Sequence, residues 1–342
     1  MSIIIVSYNG LMDIDACLKS IESQSYKRFE VIIVDSASTD GTPEYIARNY
    51  PNVKLVRSER NLGYSGGNAL GLNHARGDFV AILNQDIILD KDWLLELLRC
   101  AERHPESGII ASNVLLHSNP FIVNAYGNEV HFTGLTFSRF LDKLGSDCKE
   151  EYVIAPCGAA FMIRRQVIDE VGFIDDTFFM EFGDVDLAMR VWLSGWKCVI
   201  IPRAKTYHKF ELKMTPQRYF ILERGRYLML SKNFSRRTLV LLSPSLMLTE
   251  MLTWAYALFS GKTYVASKLA AYRWILKNLV RIIRNREKVQ KLRRIGDKSL
   301  MELTTFKISI PEKLLKGSAK LFIESYFNAL YRTFYRISHF LM

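Results

Sequence analysis

Asn84-Gln85-Asp86 stands where the apolar run Phe79-Val80-Ala81-Ile82-Leu83 ends, so two amides and a carboxylate arrive together at the end of a buried segment. Much later in the chain Asp184 and Asp186 open a stretch with helical character. A strand that delivers polar groups to its carboxyl end is a typical place for a ligand or a metal ion. Asp86 could ligate Mg2+ or Mn2+, with diphosphate oxygens and water completing an oxygen-rich shell. His208, shortly after Ile200-Ile201-Pro202, is a further chemical group just past an apolar run. Taken singly, an acid at a strand end is more often a cap and a lone histidine more often structural. Asp184 and Asp186 have the same two readings: helix caps, or a base that removes a proton from an acceptor hydroxyl. Glu181, Asp175 and Asp176 crowd that stretch, and like charges nearby raise a carboxyl pKa toward the range a base needs.

Two more segments carry binding chemistry. Asp35 follows Val31-Ile32-Ile33-Val34 and precedes Ser36, Ser38, Thr39, Asp40 and Gly41. A carboxylate there can accept the imide N–H of a base while small polar residues turn the chain around a ribose; a polar loop that merely starts a helix is the plainer reading. Asn61 to Asn73 holds Gly63, Gly66, Gly67 and Gly71 around Asn68. Glycines admit a close backbone approach to a diphosphate, and helix N-terminal amides favour anions. The spacing matches neither a dinucleotide GxGxxG after the first strand nor a P-loop.

The elements that must position these groups alternate. Ser2 to Ser7 is a β-branched run suited to a buried strand, and Leu11, Ile14, Cys17, Leu18 and Ile21 follow at helical spacing. Val31–Val34 is strand two. Asp40-Gly41-Thr42-Pro43 supplies a turn, an N-cap and a proline at the start of the next helix. Val53–Val56 is strand three, and a helix over Ala69–Ala75 leads into Phe79–Leu83. Four strand-then-helix repeats predict an α/β fold, a Rossmann-like, mostly parallel sheet with helices on both faces. Between about 113 and 155 periodicity fails, which predicts irregular connections and one short hairpin. Order returns with Gly158–Ile163, a helix over Gln166–Val171, a loop over Gly172–Gly183, a helix over Asp184–Leu193 and a strand over Cys198–Ile201 that Pro202 ends.

Charge divides the 342 residues unevenly. Residues 1–202 carry 18 Lys and Arg against 27 Asp and Glu, whereas residues 203–342 carry 28 against 8. A back third at +20 calls for a polyanionic partner, either a membrane surface or a nucleic acid. Thr238–Phe259 approaches the length of a membrane span, but Pro244 and Glu250 interrupt it. Tyr272–Arg294 interleaves Trp274, Ile275, Leu279, Ile282 and Ile283 with arginines and lysine, the composition of a helix lying in a lipid interface. That mixture favours an anionic membrane surface over nucleic acid. Leu321–Leu341 places Phe and Tyr at three-to-four spacing and could line a membrane, a homodimer through the C-terminal region or the protein's own core. Five scattered cysteines without a CxxC pair suit a reducing compartment, and Ile3–Val6 reads as a strand and not a signal peptide. The expected location is the cytoplasmic face of the membrane, peripheral or monotopic.

In order along the chain, Ile3-Ile4-Ile5-Val6-Ser7-Tyr8-Asn9, Val34-Asp35 to Asp40-Gly41, Asn61-Leu62-Gly63-Tyr64-Ser65-Gly66-Gly67-Asn68, Gly77-Asp78 with Asn84-Gln85-Asp86, Gly158-Ala159-Ala160-Phe161, and Phe182-Gly183-Asp184-Val185-Asp186-Leu187 with Arg190, Pro202 and His208 resemble family 2 of the inverting glycosyltransferases, in its rhamnosyltransferase-like branch. The resemblance covers residues 1–210 or so and implies the GT-A fold. It further implies a catalytic domain over residues 1–235, with nucleotide-sugar binding in 1–112 and the acceptor side in 113–235, before a helical, basic, membrane-associated region over 236–342. By position, Ser7, Tyr8, Asn9, Asp35, Asn61, Gly63, Gly66, Asn68, Asn84 and Gln85 would hold a dTDP-, UDP- or GDP-sugar. Asp86 and His208 would hold Mg2+ or Mn2+, and Asp184 would be the base. The acceptor would be lipid-linked or a polysaccharide, in cell-surface glycan assembly. Two positions depart from the family pattern: Asn84 opens the DxD-like triplet without a carboxylate, and Gly183 replaces the glutamate before the base, some of whose work could pass to Glu181. A nucleic-acid-binding protein and a degenerate sugar-nucleotide binder without turnover are the competing readings.

Overall fold

Apolar runs covered on both faces form the middle of the sheet: Ile3, Ile4, Ile5, Ile32, Ile33, Val34, Val80, Ala81 and Ile82 are all fully buried. The computed structural model describes residues 1–209, 213–310 and 317–342. Strands β1 (Ser2–Ser7), β2 (Glu30–Ser36), β3 (Lys54–Ser58) and β4 (Phe79–Asn84) alternate with helices α1 (Ile14–Glu22), α2 (Thr42–Asn49) and α3 (Gly63–Leu72). They pair in parallel in the order β4-β1-β2-β3, so the carboxyl ends of β1, β2 and β4 share one edge. There follow β5 (Ile87–Leu89), α4 (Trp93–Arg103), β6 (Ser107–Leu116), β7 (Asn119–Ala125), a hairpin of β8 (Asn128–Val130) with β9 (Thr136–Ser138), β10 (Glu151–Tyr152), β11 (Ala160–Arg164), α5 (Arg165–Val171), α6 (Gly183–Leu193) and β12 (Lys197–His208). The sheet runs β10-β12-β6-β11-β4-β1-β2-β3, with β5 added to β12 and β7 to β6. β11 is antiparallel to both β4 and β6, while β12 is parallel to β6.

Four expectations change. The glycine-rich stretch is itself helix α3, starting at Gly63 and not at Ala69. A Cβ at Gly67 would lie 2.5 Å from Val6 Cγ1, and one at Gly71 2.5 Å from Ile4 Cγ2, so these glycines let the helix lie directly on β1. Residues 113–155 hold more β-structure than a hairpin, because β6 runs on to Leu116 and pairs with β7. Pro202 does not end β12. Lacking an N–H, it interrupts the ladder, and pairing with β6 resumes after an irregularity between Ile201 and Lys205. Tyr272–Arg294 is two helices, broken at Asn278, whose side-chain amide donates to Trp274 O at 2.8 Å.

The chain divides into two compact units, one of residues 1–128 and 138–212 and the other of residues 129–137 and 213–342. The second contains α7 (Pro216–Asn233), α8 (Arg236–Leu241), α9 (Ser243–Ser260), α10 (Lys262–Lys277), α11 (Leu279–Lys291), α12 (Asp297–Glu302) and α13 (Gly317–Leu341). Its core joins Phe132, Leu242, Met301, Ile308 and Tyr331. Buried Arg226 and Lys268 pair with Glu223 and Glu250, pinning α7, α9 and α10 by charge. Among the described residues no helix is long and apolar enough to cross a membrane.

Candidate functional site

The carboxyl ends of β1, β2 and β4 are laced together by short polar side chains. Gln85 brackets the end of β1: its Oε1 accepts from Ser7 Oγ at 2.9 Å and from Tyr8 N–H at 3.0 Å, and its Nε2 donates to Tyr8 O at 3.2 Å. Asn9, in the left-handed region at φ 48°, donates its N–H to Ser38 Oγ at 2.9 Å and accepts from Thr39 N–H at 2.8 Å through Oδ1. These bonds fix a rim around Asp35, which is 1% exposed. Its Oδ2 accepts from Ser38 N–H at 3.2 Å, while its Oδ1 is buried with no hydrogen-bond partner among the described residues. A buried carboxylate oxygen left open in this way suits an incoming N–H donor.

Helix α3 closes one side. Asn61 Oδ1 accepts from Gly63 N–H at 2.8 Å, and Gly66 lies one turn into the helix. Asn68 donates to Tyr64 O at 2.9 Å, and its Oδ1, like the hydroxyl of Ser65, is buried without a partner. The Tyr64 hydroxyl donates to Gly158 O at 2.8 Å. Burial first, and the charge of Asp184 second, hold that phenol well above its ordinary range.

Asn84 ends β4 with its N–H donated to Ala159 O at 2.9 Å. Two residues on, Asp86 meets His208, the last residue of β12, where antiparallel pairing sets His208 opposite Ile87. His208 Nε2 lies 3.4 Å from Asp86 Oδ2. On the other side of the ring Nδ1 lies 2.9 Å from Asn124 Oδ1 on β7. An amide oxygen only accepts, so Nδ1 carries the proton and Nε2 is turned toward the carboxylate. An imidazole nitrogen and a carboxylate oxygen converging in this way are a donor set fit for a divalent ion, with the Asn124 amide behind the ring to orient the histidine.

Asp184 sits in the first turn of α6, 8% exposed. Its carboxyl is raised to about 6, first by burial and then, against hydrogen bonds from the Val185 N–H, by the charge of Glu181. Asn128 Nδ2 donates to Asp184 Oδ2 at 3.2 Å and to Pro156 O at 2.7 Å. Asp186 is different: fully buried, it accepts from Arg190 Nε at 3.0 Å, and that guanidinium also bonds the carbonyls of Val171, Gly172 and Phe173. Asp175 is spent on Thr177, accepting its N–H at 2.9 Å. The approach to α6 holds three non-glycine residues in the left-handed region, Phe179, Glu181 and Phe182, the kind of strain that collects at functional sites. The Cys157 thiol, pushed up to about 12 by burial, also feels the charges of Asp184, Glu181 and Asp86, so all three carboxylates lie within electrostatic reach of one side chain.

The chain's own geometry thus gathers Ser7, Tyr8, Asn9 and Gln85 into one rim, pairs Asp86 with His208, and separates Asp184 from Asp186. Asn124, Asn128 and Tyr64 were not foreseen. The two asparagines fall in the aperiodic segment, where nothing in the spacing marks them.

The family model for glycosyl transferase family 2 matches residues 2–172. The N-acetylglucosaminyl-diphospho-decaprenol L-rhamnosyltransferase of Mycobacterium tuberculosis is 25% identical over 237 residues, 61% of this chain and 75% of that protein. Among solved structures, S. aureus TarS 1-349 in complex with UDP-GlcNAc superposes with a TM-score of 0.54 at 16% identity, covering 89% of this chain and 84% of the other. Of a longer TarS chain it spans 39%. The mannosyltransferase from Pyrobaculum calidifontis in complex with GDP-Man and Mn2+ superposes with a TM-score of 0.51 at 17% identity, covering 99% and 85%.

Proposed function

The chain belongs to glycosyl transferase family 2, and from that premise we propose that this glycosyltransferase moves a sugar, rhamnose by likeness to the mycobacterial relative, from a nucleotide sugar to a hydroxyl of a lipid-linked glycan acceptor with inversion. The observation that carries the reading is Asp184. Among the described residues it is the carboxylate of its helix that no cation neutralises in the way Arg190 neutralises Asp186, and its pKa of about 6 matches a group that must be ionised yet basic at neutral pH.

Each role follows from a stated environment. The open Oδ1 of Asp35 accepts the imide N–H of thymine or uracil, or the corresponding N–H of guanine. The rim built by Ser7, Tyr8, Asn9 and Gln85 shapes the ribose side. Asp184 takes the proton of the acceptor hydroxyl as its oxygen bonds to the anomeric carbon, and the nucleoside diphosphate leaves with the electrons of the broken C–O bond. Asp86 and His208 would hold Mg2+ or Mn2+, the Mn2+ of the Pyrobaculum neighbour supporting this; a bound ion supplies charge neutralisation for the departing diphosphate.

The second unit supports a place on an anionic membrane surface. Met251, Phe259, Leu276 and Val280 are exposed there, among Lys262, Lys277, Arg281 and Arg284, which are exposed as well. A thermal-shift panel of dTDP-rhamnose, UDP-GlcNAc and GDP-mannose with Mn2+ tests the reading, because a ligand of the native state raises apparent stability. A stabilising donor that releases its nucleoside diphosphate only when acceptor is supplied supports it. No response to any nucleotide sugar overturns it.

A further inference from the structure

Away from the sheet edge just described, the C-terminal end of α4 presents a second group of ligating side chains. Cys100 and His104 stand one helical turn apart, and Glu150 meets them from the segment before β10. Among the described residues this is the place where three His, Cys, Asp or Glu side chains bring ligand atoms within 4.8 Å of one another. We propose that Cys100, His104 and Glu150 form a Zn2+ site that fastens the segment before β10 to α4. The proposal does not depend on the transferase reading.

The orientation of His104 carries the argument. Its Nδ1 lies 3.4 Å from Glu106 Oε1, and its Nε2 lies 2.6 Å from Glu150 Oε1. With Nδ1–H given to Glu106, the Nε2 lone pair faces a carboxylate oxygen, and a positive centre belongs between them. A proton would suffice for that pair alone. The buried Cys100 sulfur adds a third donor within 4.8 Å of the other two, which an imidazolium–carboxylate pair has no use for. Thiolate, imidazole and carboxylate together select Zn2+ over Mg2+ or Ca2+. The carboxylate behind the ring, Glu106, is the usual outer partner of a zinc-bound histidine, and the Tyr152 hydroxyl holds Glu106 in turn.

The remaining geometry is consistent with an ion. Arg103 occupies Glu150 Oε2 at 2.7 Å, leaving Oε1 to bind through one oxygen. Zinc–ligand bonds of about 2.0–2.3 Å need donor atoms roughly 3.3–3.8 Å apart, so the His104–Glu150 contact has to open by less than about 1 Å. Glu150 is exposed to solvent, which gives the ion an entry path and a water for its fourth position.

The test uses the full chain stripped with chelator and titrated with Zn2+ alone in competition with a chromophoric chelator. The expected result is a Zn2+ whose affinity falls more than about tenfold in Cys100→Ser and in His104→Gln, about tenfold in Glu106→Gln, and is unchanged in Asp86→Asn. Co2+ substitution of the unaltered chain gives a readout that needs no variant: a thiolate-to-cobalt charge-transfer band supports the site. Absence of that band overturns the proposal, as does zinc affinity that survives Cys100→Ser or disappears in Asp86→Asn.

Discussion

Replacing Asp184 by Asn should abolish transfer and at the same time stabilise the protein at alkaline pH. The carboxyl rises from 3.8 to about 6 in the folded chain, so the native state holds this proton more tightly than the unfolded one. A folded pKa above the unfolded value contributes stability that is full below about pH 4 and is lost as pH rises through 6. At 1.36 kcal/mol for each tenfold change in the proton equilibrium, the loss at pH 8 is about 3 kcal/mol. Asparagine has the same shape and carries no charge, so it escapes that loss. It gives up part of the acceptance from the Val185 or Gly158 N–H, worth about 1 kcal/mol, leaving a net gain of about 2 kcal/mol at pH 8. Near pH 4 the titration difference shrinks to roughly 0.5 kcal/mol, and the lost hydrogen bond cancels it. Equilibrium urea denaturation of both proteins at pH 8 and pH 4, alongside nucleoside diphosphate release, reads both effects. A variant no more stable than the parent at pH 8 refutes the burial argument. A variant that keeps full transfer refutes the assignment of the base, and activity of the parent should itself rise with pH through about 6.

Asp35→Asn removes the charge from the open oxygen and should weaken nucleotide-sugar binding by about 1.5–3 kcal/mol, measured by calorimetry; an unchanged affinity excludes Asp35 from base recognition. Asn124→Ala frees the ring of His208 and should lower Mn2+ affinity about 10- to 100-fold, read by Mn2+ titration without turnover. Gly183→Glu should not restore a family-like site. A Cβ there would lie 2.7 Å from Ser65 Oγ and 3.0 Å from Ile174 Cγ2, so a loss of about 1–3 kcal/mol is expected, with partial recovery in the double variant with Ser65→Ala; a fully stable single variant contradicts this packing.

Legibility followed burial. Strands β1, β2 and β4 are read directly from runs such as Ile3-Ile4-Ile5, because both faces are covered and every residue is apolar. The GT-A architecture followed from those strands and the ordered motifs. Helix α3 was obscured by its own glycines, whose reason is the contact of Gly67 and Gly71 with Val6 and Ile4, a tertiary fact absent from local propensity. The same holds for β12: Pro202 signals a stop, and only the partner strand β6 shows that pairing resumes at Lys205. The meeting of Asp86 with His208 was implied by the family resemblance alone, since position by itself left a cap and a structural histidine as the plainer readings. Asn124 and Asn128 act solely by touching other side chains, and such residues leave no periodic trace.

The departure at position 183 acquires a physical sense in the loop before α6. Gly183 leaves room for the Ser65 hydroxyl, and Ser65 N–H donates to Phe179 O at 3.0 Å, so α3 and this loop are closed against each other at the point where a glutamate side chain would emerge. The backbone accordingly carries left-handed residues at Phe179, Glu181 and Phe182, each costing about 1–3 kcal/mol, held by the burial of Phe178 and Phe182 and the cap of Asp175 on Thr177. Strain of that size persists only where the surroundings enforce it, and from this strained segment the charge of Glu181, two residues before the helix, reaches Asp184 and adds to burial in raising its carboxyl.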